Sequence, residues 1–304
     1  MPATSFRPTE ISIEIKGVTY SVSTTFSRER RPTRQMESTP ETSPRIAGPR
    51  ADGQEDATAS PANRRALVSS ISLAIGAGET VVLLGRSGSG KTTLLRLVNR
   101  MLEPTSGTVL VDRRPTTEWN PFALRRGIGY VIQEAGLFPH FTVAENIGLV
   151  PKLEKWNAQR VQARVAELLE LVGLGGAEFA ARYPRQLSGG QRQRVGVARA
   201  LAADPGILLM DEPFGALDPV TRAELQREFG ALAKRLAKTI VFVTHDLREA
   251  LLLATRIVLL EHGKIVAQDT PENFLQHAHP EVRAFASCLD TEPAANSPSG
   301  GETA

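Results

Sequence analysis

VVLLGRSGSGKTTLLRLVNRM, residues 81–101, is the stretch from which the rest of the chain can be read. Val81 to Leu84 is a short continuous apolar run ending at Gly85, the pattern of a strand buried on both sheet faces. After Lys91 the apolar residues Leu94, Leu95, Val98, Met101 and Leu102 recur at helical spacing, so the turn is expected to join a strand to a helix N-terminus. That turn runs Gly85, Arg86, Ser87, Gly88, Ser89, Gly90, Lys91, Thr92, continuing into Thr93, and fits G-x-x-x-x-G-K-[ST]. Glycines let the backbone pass close to a phosphate chain and aim N–H groups at it. The helix dipole adds positive potential, Lys91 can reach the terminal phosphates, and the Thr92 hydroxyl can hold Mg²⁺. These residues imply a nucleoside-triphosphate site.

Bulk properties narrow the setting. The chain has 304 residues, enough for one large core or two modest ones, with 41% hydrophobic and 23% charged residues, as in ordinary globular proteins. A net charge of +3 comes from basic residues spread along the chain, without lysine-rich runs or interleaved aromatics. No nucleic-acid partner is therefore expected. Cys288 is the single cysteine; it excludes an intrachain disulfide, fits a reducing compartment, and lacks neighbours spaced for a metal or nucleophile role. No apolar run reaches the ~20 residues of a membrane span, and no secretory leader is evident. The expectation is a chain that is cytosolic or held at a membrane by a partner.

In chain order, residues 10–22 alternate apolar and polar and read as a strand. Residues 24–63 are rich in Arg, Pro, Ser, Thr, Glu and Gly and are expected to form a disordered insertion; RERRPTR within it is either a solvated loop or a contact for anionic lipid or RNA. Ala66 to Ile75 resumes as a second alternating strand, Thr108 to Asp112 as another, and Ile128 to Ile132 as a short one ending at Gln133. From about 134 to 200 the pattern is helical: Thr142 and Glu145 form a capping box, and Val161, Val165, Leu168, Leu169 and Val172 share a face. Then come ILLMDE (207–212), a helix from Asp218-Pro219, the strand TIVFVTH (239–245), a hairpin at His262-Gly263 and a last helix from Thr270. Residues 289–304 read as a disordered tail. Strands alternating with helices predict a three-layer α/β core with a parallel sheet.

Asp211 and Glu212 end a buried strand at its carboxyl edge, where open α/β sheets bind ligands. Asp211 is expected to order the Mg²⁺ shell, leaving Glu212 to take a proton from an attacking water. LSGGQ (187–191) sets Ser188 as a helix cap followed by Gly189, Gly190 and Gln191, a second helix start able to face a phosphate. One nucleotide hardly needs two such starts from one chain, whereas two chains facing each other would use both.

GRSGSGKT, LSGGQ about twenty residues before ILLMDEP, GALD, Gln133 after one strand and His245 after another together resemble the ATP-binding subunit of an ABC transporter. The resemblance runs from about Ile11 to Phe285. It implies a nucleotide-binding core with a parallel central sheet, an antiparallel β subdomain and an inserted helical subdomain. It also implies a head-to-tail dimer, with ATP between Gly85–Thr92 of one copy and Ser188–Gln191 of the other. By position, Lys91 would bind the β- and γ-phosphates and Thr92, Asp211 and Gln133 would serve Mg²⁺. Gln133 would also report to the membrane partner, Glu212 would be the general base, His245 the switch residue at the γ-phosphate, and Asp218 an organiser of the dimer seam. The family stacks adenine on an aromatic residue four positions after the valine of its first strand. Here Val22 follows Val18 at that spacing, so Tyr20 or Phe26 must substitute or the stacking is weak.

The stretches 133–156 and 182–205 look most like the ATPases of osmoprotectant importers, which move glycine betaine, choline, carnitine or proline with an external binding protein and a membrane permease. That implies a peripheral subunit on the cytoplasmic face of the membrane. Many relatives carry a C-terminal pair of CBS domains, and this chain is expected to lack them. Of the rival readings, ABC ATPases of DNA repair insert long coiled coils and ribosomal ones pair two cassettes, whereas this sequence has neither sustained heptads nor a second G-x-x-x-x-G-K-[ST]. A regulatory module without turnover would not need Glu212, and exporters often fuse membrane spans to the ATPase.

Overall fold

Residues Thr80–Leu84 form a strand buried along its whole length, and the other central strands assemble on it. The computed structural model describes residues 11–23, 64–133 and 135–289. Its elements are β1 (Ile11–Ser23), β2 (Arg64–Gly76), β3 (Thr80–Leu84), α1 (Lys91–Val98), β4 (Ser106–Val111), β5 (Arg114–Pro115), α2 (Pro121–Gly127), β6 (Ile128–Val131), α3 (Val143–Leu153), α4 (Ala158–Leu171) and α5 (Ala177–Ala181). They continue as α6 (Gly189–Leu201), β7 (Ile207–Asp211), α7 (Pro219–Leu236), β8 (Thr239–Thr244), α8 (Leu247–Leu253), β9 (Arg256–Glu261), β10 (Lys264–Asp269), α9 (Pro271–Phe274) and α10 (Pro280–Ser287). The central sheet has the order β10-β9-β3-β8-β7-β6, parallel except for β10. A second, antiparallel sheet has the order β2-β1-β4-β5.

Because side chains alternate across a strand, the two faces of the central sheet feed different cores. Leu83, Leu209, Val241 and Val258 pack with Ile13 and Ile15 of β1 and with Leu94 and Leu95 of α1. Leu84, Leu208, Ile240 and Phe242, on the other face, pack with side chains of α3, α4, α6, α7 and α8. α1 and α6 therefore lie on opposite faces of one sheet. The parallel register sets Leu84 opposite Thr244, Asp211 opposite Val243 and Val131 opposite Met210. The carboxyl ends of β3, β8, β7 and β6 are thereby level, which brings Gly85, His245, Glu212 and Gln133 to one edge.

Several expectations are corrected. The helix after Lys91 stops at Val98: Asn99 turns its carboxamide onto the Met101 N–H, Arg100 takes a left-handed φ of 53°, and Met101 lies outside, half exposed. The apolar spacing simply ran past the helix end. The single helix expected from Thr270 is two, because the first ends at Phe274 and Pro280, capped by His279, starts another. β5 and α2 were not foreseen; α2 buries only Leu124, too little for a periodic signal. The His262-Gly263 hairpin forms with positive φ at both residues, 48° and 74°. The insertion 24–63, Phe26 and residues 290–304 lie outside the described residues.

Phe214 in the loop after Glu212, Phe229 on α7 and Phe242 on β8 meet with ring centroids 5.7–6.2 Å apart. This cluster fixes that loop to the sheet. Phe242→Ala is expected to lower the unfolding free energy by about 3–5 kcal/mol in a denaturant titration. A change of surface-site size, about 0.5 kcal/mol, would contradict that packing role.

Candidate functional site

The turn after β3 is gripped from three sides. Gly263 N–H, in the β9–β10 turn, donates to Ser89 O at 3.1 Å, and Ser69 N–H of β2 donates to Gly263 O at 2.8 Å. A Cβ on Gly90, whose φ is +103°, would stand 2.6 Å from Leu67 O, and one on Gly85 would stand 2.4 Å from Leu260 O. Glycine at these two positions is thus demanded by close backbone as much as by dihedral angle. Lys91 is buried, and its Nζ donates to Gly85 O at 2.7 Å and Arg86 O at 2.9 Å. Burial pulls its ammonium below the ordinary lysine value, opposed by the charges of Glu212 and Asp211. Ser89 Oγ is buried without a hydrogen-bond partner, and α1 starts at Gly90 with no side-chain cap. A phosphate chain would meet these groups.

Beside the turn, Thr92 Oγ1 donates to Asp211 Oδ1 at 2.9 Å. Tyr130 OH, on β6, lies 3.5 Å from Asp211 Oδ2. Burial pushes the Asp211 carboxyl up, opposed first by the Thr92 hydrogen bond and then by the charge of Arg96. A hydroxyl and one carboxylate are hard oxygen donors of the kind Mg²⁺ takes together with substrate phosphates and waters, so the residues fit that ion. Among the described residues no group of three or more His, Cys, Asp or Glu side chains is placed to hold a metal by itself.

Glu212 follows β7 with a left-handed φ of 43°, while its N–H still continues the ladder to Val243 O at 3.1 Å. This backbone turn, rare for a side chain of its size, goes with a carboxylate whose Oε2 is 3.2 Å from His245 Nδ1. Gln133 Nε2 and Glu212 Oε2 converge on Gly215, at 3.9 and 3.8 Å from its notional Cβ. The structure thus gathers Lys91, Thr92, Asp211, Glu212, His245 and Gln133 at one sheet edge.

Ser188 and Asp218 act elsewhere. Ser188 caps α6 in a reciprocal capping box: Gln191 N–H donates to Ser188 Oγ at 3.2 Å and Ser188 N–H to Gln191 Oε1 at 3.0 Å. Gly190 sits so close to α7 that a Cβ would stand 2.6 Å from Thr221 Cγ2, a packing demand invisible in the sequence. Asp218 caps α7 by accepting from Thr221 N–H, which holds its carboxyl below the usual range. Tyr20, opposite Val68 on β2, is half-buried and packs on the core around α1, and that same Val68 borders Gly90.

Other contributors escaped sequence reasoning. Arg199 on α6 donates to Ala135 O and Gly136 O, both at 2.7 Å, clamping the chain just after Gln133. Arg86, itself one of the turn residues read from the sequence, turns its guanidinium to Glu281 on α10 at 2.5 Å. Their partners lie 63 to 195 positions away, beyond any local pattern.

The ABC transporter family model matches residues 68–215. The glycine betaine/carnitine/choline transport ATP-binding protein OpuCA of Bacillus subtilis is 55% identical over 210 residues, covering 69% of this chain and 55% of that protein. The glycine betaine uptake system ATP-binding protein YehX of Escherichia coli is 51% identical over 219 residues, covering 72% of this chain and 71% of that protein. The dimeric structure of a post-hydrolysis state of the ATP-binding cassette MJ0796, bound to ADP and Pi, matches with a TM-score of 0.65 at 30% identity, covering 85% of this chain and 98% of that one. Of OpuCA, as of several other curated relatives, this chain spans little more than half the length.

Two glycines of the loop should separate under substitution. A Cβ on Gly88, φ +79°, meets nothing within 4 Å, whereas one on Gly90 meets backbone. Gly88→Ala should cost about 1–2 kcal/mol from its dihedral angle alone. Gly90→Ala should cost clearly more, measured by denaturant unfolding of both; equal losses would contradict the close packing described.

Proposed function

The chain belongs to the ABC transporter family, and from that premise we propose that it is the ATP-hydrolysing subunit of an importer for a quaternary-amine osmoprotectant such as glycine betaine or choline. The observation that carries the hydrolytic part is the Glu212–His245 contact at 3.2 Å on the sheet edge that also bears Lys91, Thr92 and Asp211. Triphosphate entry would draw Lys91 Nζ from the carbonyls of Gly85 and Arg86 to the β- and γ-phosphates. Thr92 and Asp211 would hold Mg²⁺, which supplies neutralisation of phosphate charge. Glu212 takes a proton from water as its oxygen attacks the γ-phosphorus, the bond to the β-phosphate oxygen breaks, and His245 orients both the base and the γ-phosphate.

A second copy completes the site with Ser188, Gly189 and Gly190 at the start of its α6, and Asp218 lies at the seam between copies. Support comes from the dimeric state in which the related cassette MJ0796 was solved. The membrane permease docks beside Gln133, in the loop where Phe138 is exposed at 41%. Among the described residues no helix is long and apolar enough to cross a membrane, and we place the chain at the cytoplasmic face, held by that permease. The cargo reading is supported by what OpuCA and YehX are named for. To swing the assembly from 1:99 to 99:1, ATP must favour the closed form by about 5.5 kcal/mol.

Glu212→Gln is expected to hold ATP in a dimer while steady-state phosphate release falls by about 10²-fold or more; release at the wild-type rate would sink the proposed base. For cargo, cells lacking this chain should lose uptake of labelled betaine or choline under salt stress. Uptake of betaine, choline and proline all unchanged would reject the osmoprotectant assignment.

A further inference from the structure

Glu249 is only 4% exposed, a depth at which carboxylates occur when their oxygens are partnered. Both of its oxygens are. Thr244 Oγ1 donates to Oε2 at 2.5 Å, and Gln226 Nε2 donates to Oε1 at 2.8 Å. Burial pushes the Glu249 carboxyl up, while these two hydrogen bonds pull it down. Its two oxygens are thus each held by a donor, one at the end of β8 and one on α7.

The partners reveal its use. Thr244 closes β8 and immediately precedes His245. Its hydroxyl has one proton, committed to Glu249, so a lone pair faces the Asp246 N–H, which donates to it at 3.0 Å. The backbone is therefore held on both sides of His245. Gln226 stands on α7 one turn beyond Arg222, and Arg222 Nη2 donates to Leu217 O at 3.0 Å and Gly215 O at 3.3 Å. One face of α7 thus grips the loop that follows Glu212 and, through Glu249 and Thr244, the turn that carries His245.

We propose that Glu249 is a positioning residue: through Thr244 it fixes the turn presenting His245 to Glu212, and through Gln226 it ties that turn to the helix that Asp218 starts. The inference rests on the hydrolytic reading of Glu212 and His245. Loss of the carboxylate frees the turn and slows hydrolysis. Nucleotide affinity is spared, because Lys91 and the Gly85–Thr92 turn are held by β2, β9 and the hairpin instead.

The test uses the purified full chain, with ATP binding measured at equilibrium and phosphate formation in single turnover. Glu249→Leu, which offers no acceptor, and Thr244→Val are expected to slow hydrolysis by about tenfold or more, the scale on which misplaced catalytic groups lose rate, with ATP affinity within about twofold. Thr244→Ser, which keeps the hydroxyl, should stay close to wild type. Added to His245→Ala, Glu249→Leu should cost nothing further, because it acts through that histidine. Wild-type hydrolysis by Glu249→Leu overturns the proposal, as does an equal loss in the His245→Ala background. If Glu249→Leu does not fold, the Thr244 pair decides, and equal rates for Val and Ser overturn the proposal. A wild-type chain that binds but never hydrolyses ATP removes the hydrolytic reading itself; an active wild type with additive losses removes only the role of Glu249.

Discussion

Four parallel strands that end level are the constraint on which the site depends. Their register places the turn after β3, Glu212 after β7, His245 after β8 and Gln133 after β6 along one edge, though these groups come from remote parts of the chain. Register in a sheet buried on both faces is stiff, since a slip of one residue would exchange its two apolar faces. Leu83 and Leu84 belong to different cores, so such a slip would misplace every strand residue on both sides. The geometry of that edge is thus inherited from packing, and only the last residue or two of each strand is free of it.

The helices divide the remaining work by face. α1, on the side of the antiparallel sheet, points its uncapped start at the phosphate turn. On the opposite side α6 and α7 approach closely at Gly190 and Thr221, and each begins at a capping side chain, Ser188 and Asp218. Arg199 joins α6 to the chain after Gln133, and Arg222 joins α7 to the loop after Glu212. Movement of either helix would be felt at the sheet edge through charged side chains bonded to backbone carbonyls, which are among the stronger hydrogen bonds a protein makes. That wiring suits the proposed shared site, half of whose contacts would arrive with another copy of the chain.

Much of this was legible in the sequence because local rules govern it. Strands buried on both faces read as apolar runs, capping residues announced α3, α6 and α7, and His262-Gly263 announced its hairpin. Lys91 and Thr92 could be read from the glycine spacing that opens a helix, and Asp211 and Glu212 from the end of an apolar run. What stayed hidden depends on distance in the chain: the Arg199 clamp, the bond from Arg86 to Glu281, the burial of Glu249. The end of α1 was misjudged for the opposite reason, since Asn99 and Arg100 stop the helix by local backbone competition while the apolar spacing continues.

The central claim is that one chain holds half a site, and a mixing experiment tests it most directly. Two proteins are prepared, both with Glu212→Gln, one also carrying Lys91→Ala and the other Ser188→Arg. Neither alone should form an ATP-bound dimer, because every site it could build lacks one half. Mixed, they should form a heterodimer holding one ATP, with Lys91 from one copy and Ser188 from the other, detected by sedimentation with labelled nucleotide. An ATP-bound dimer from either protein alone, or none from the mixture, would contradict the account.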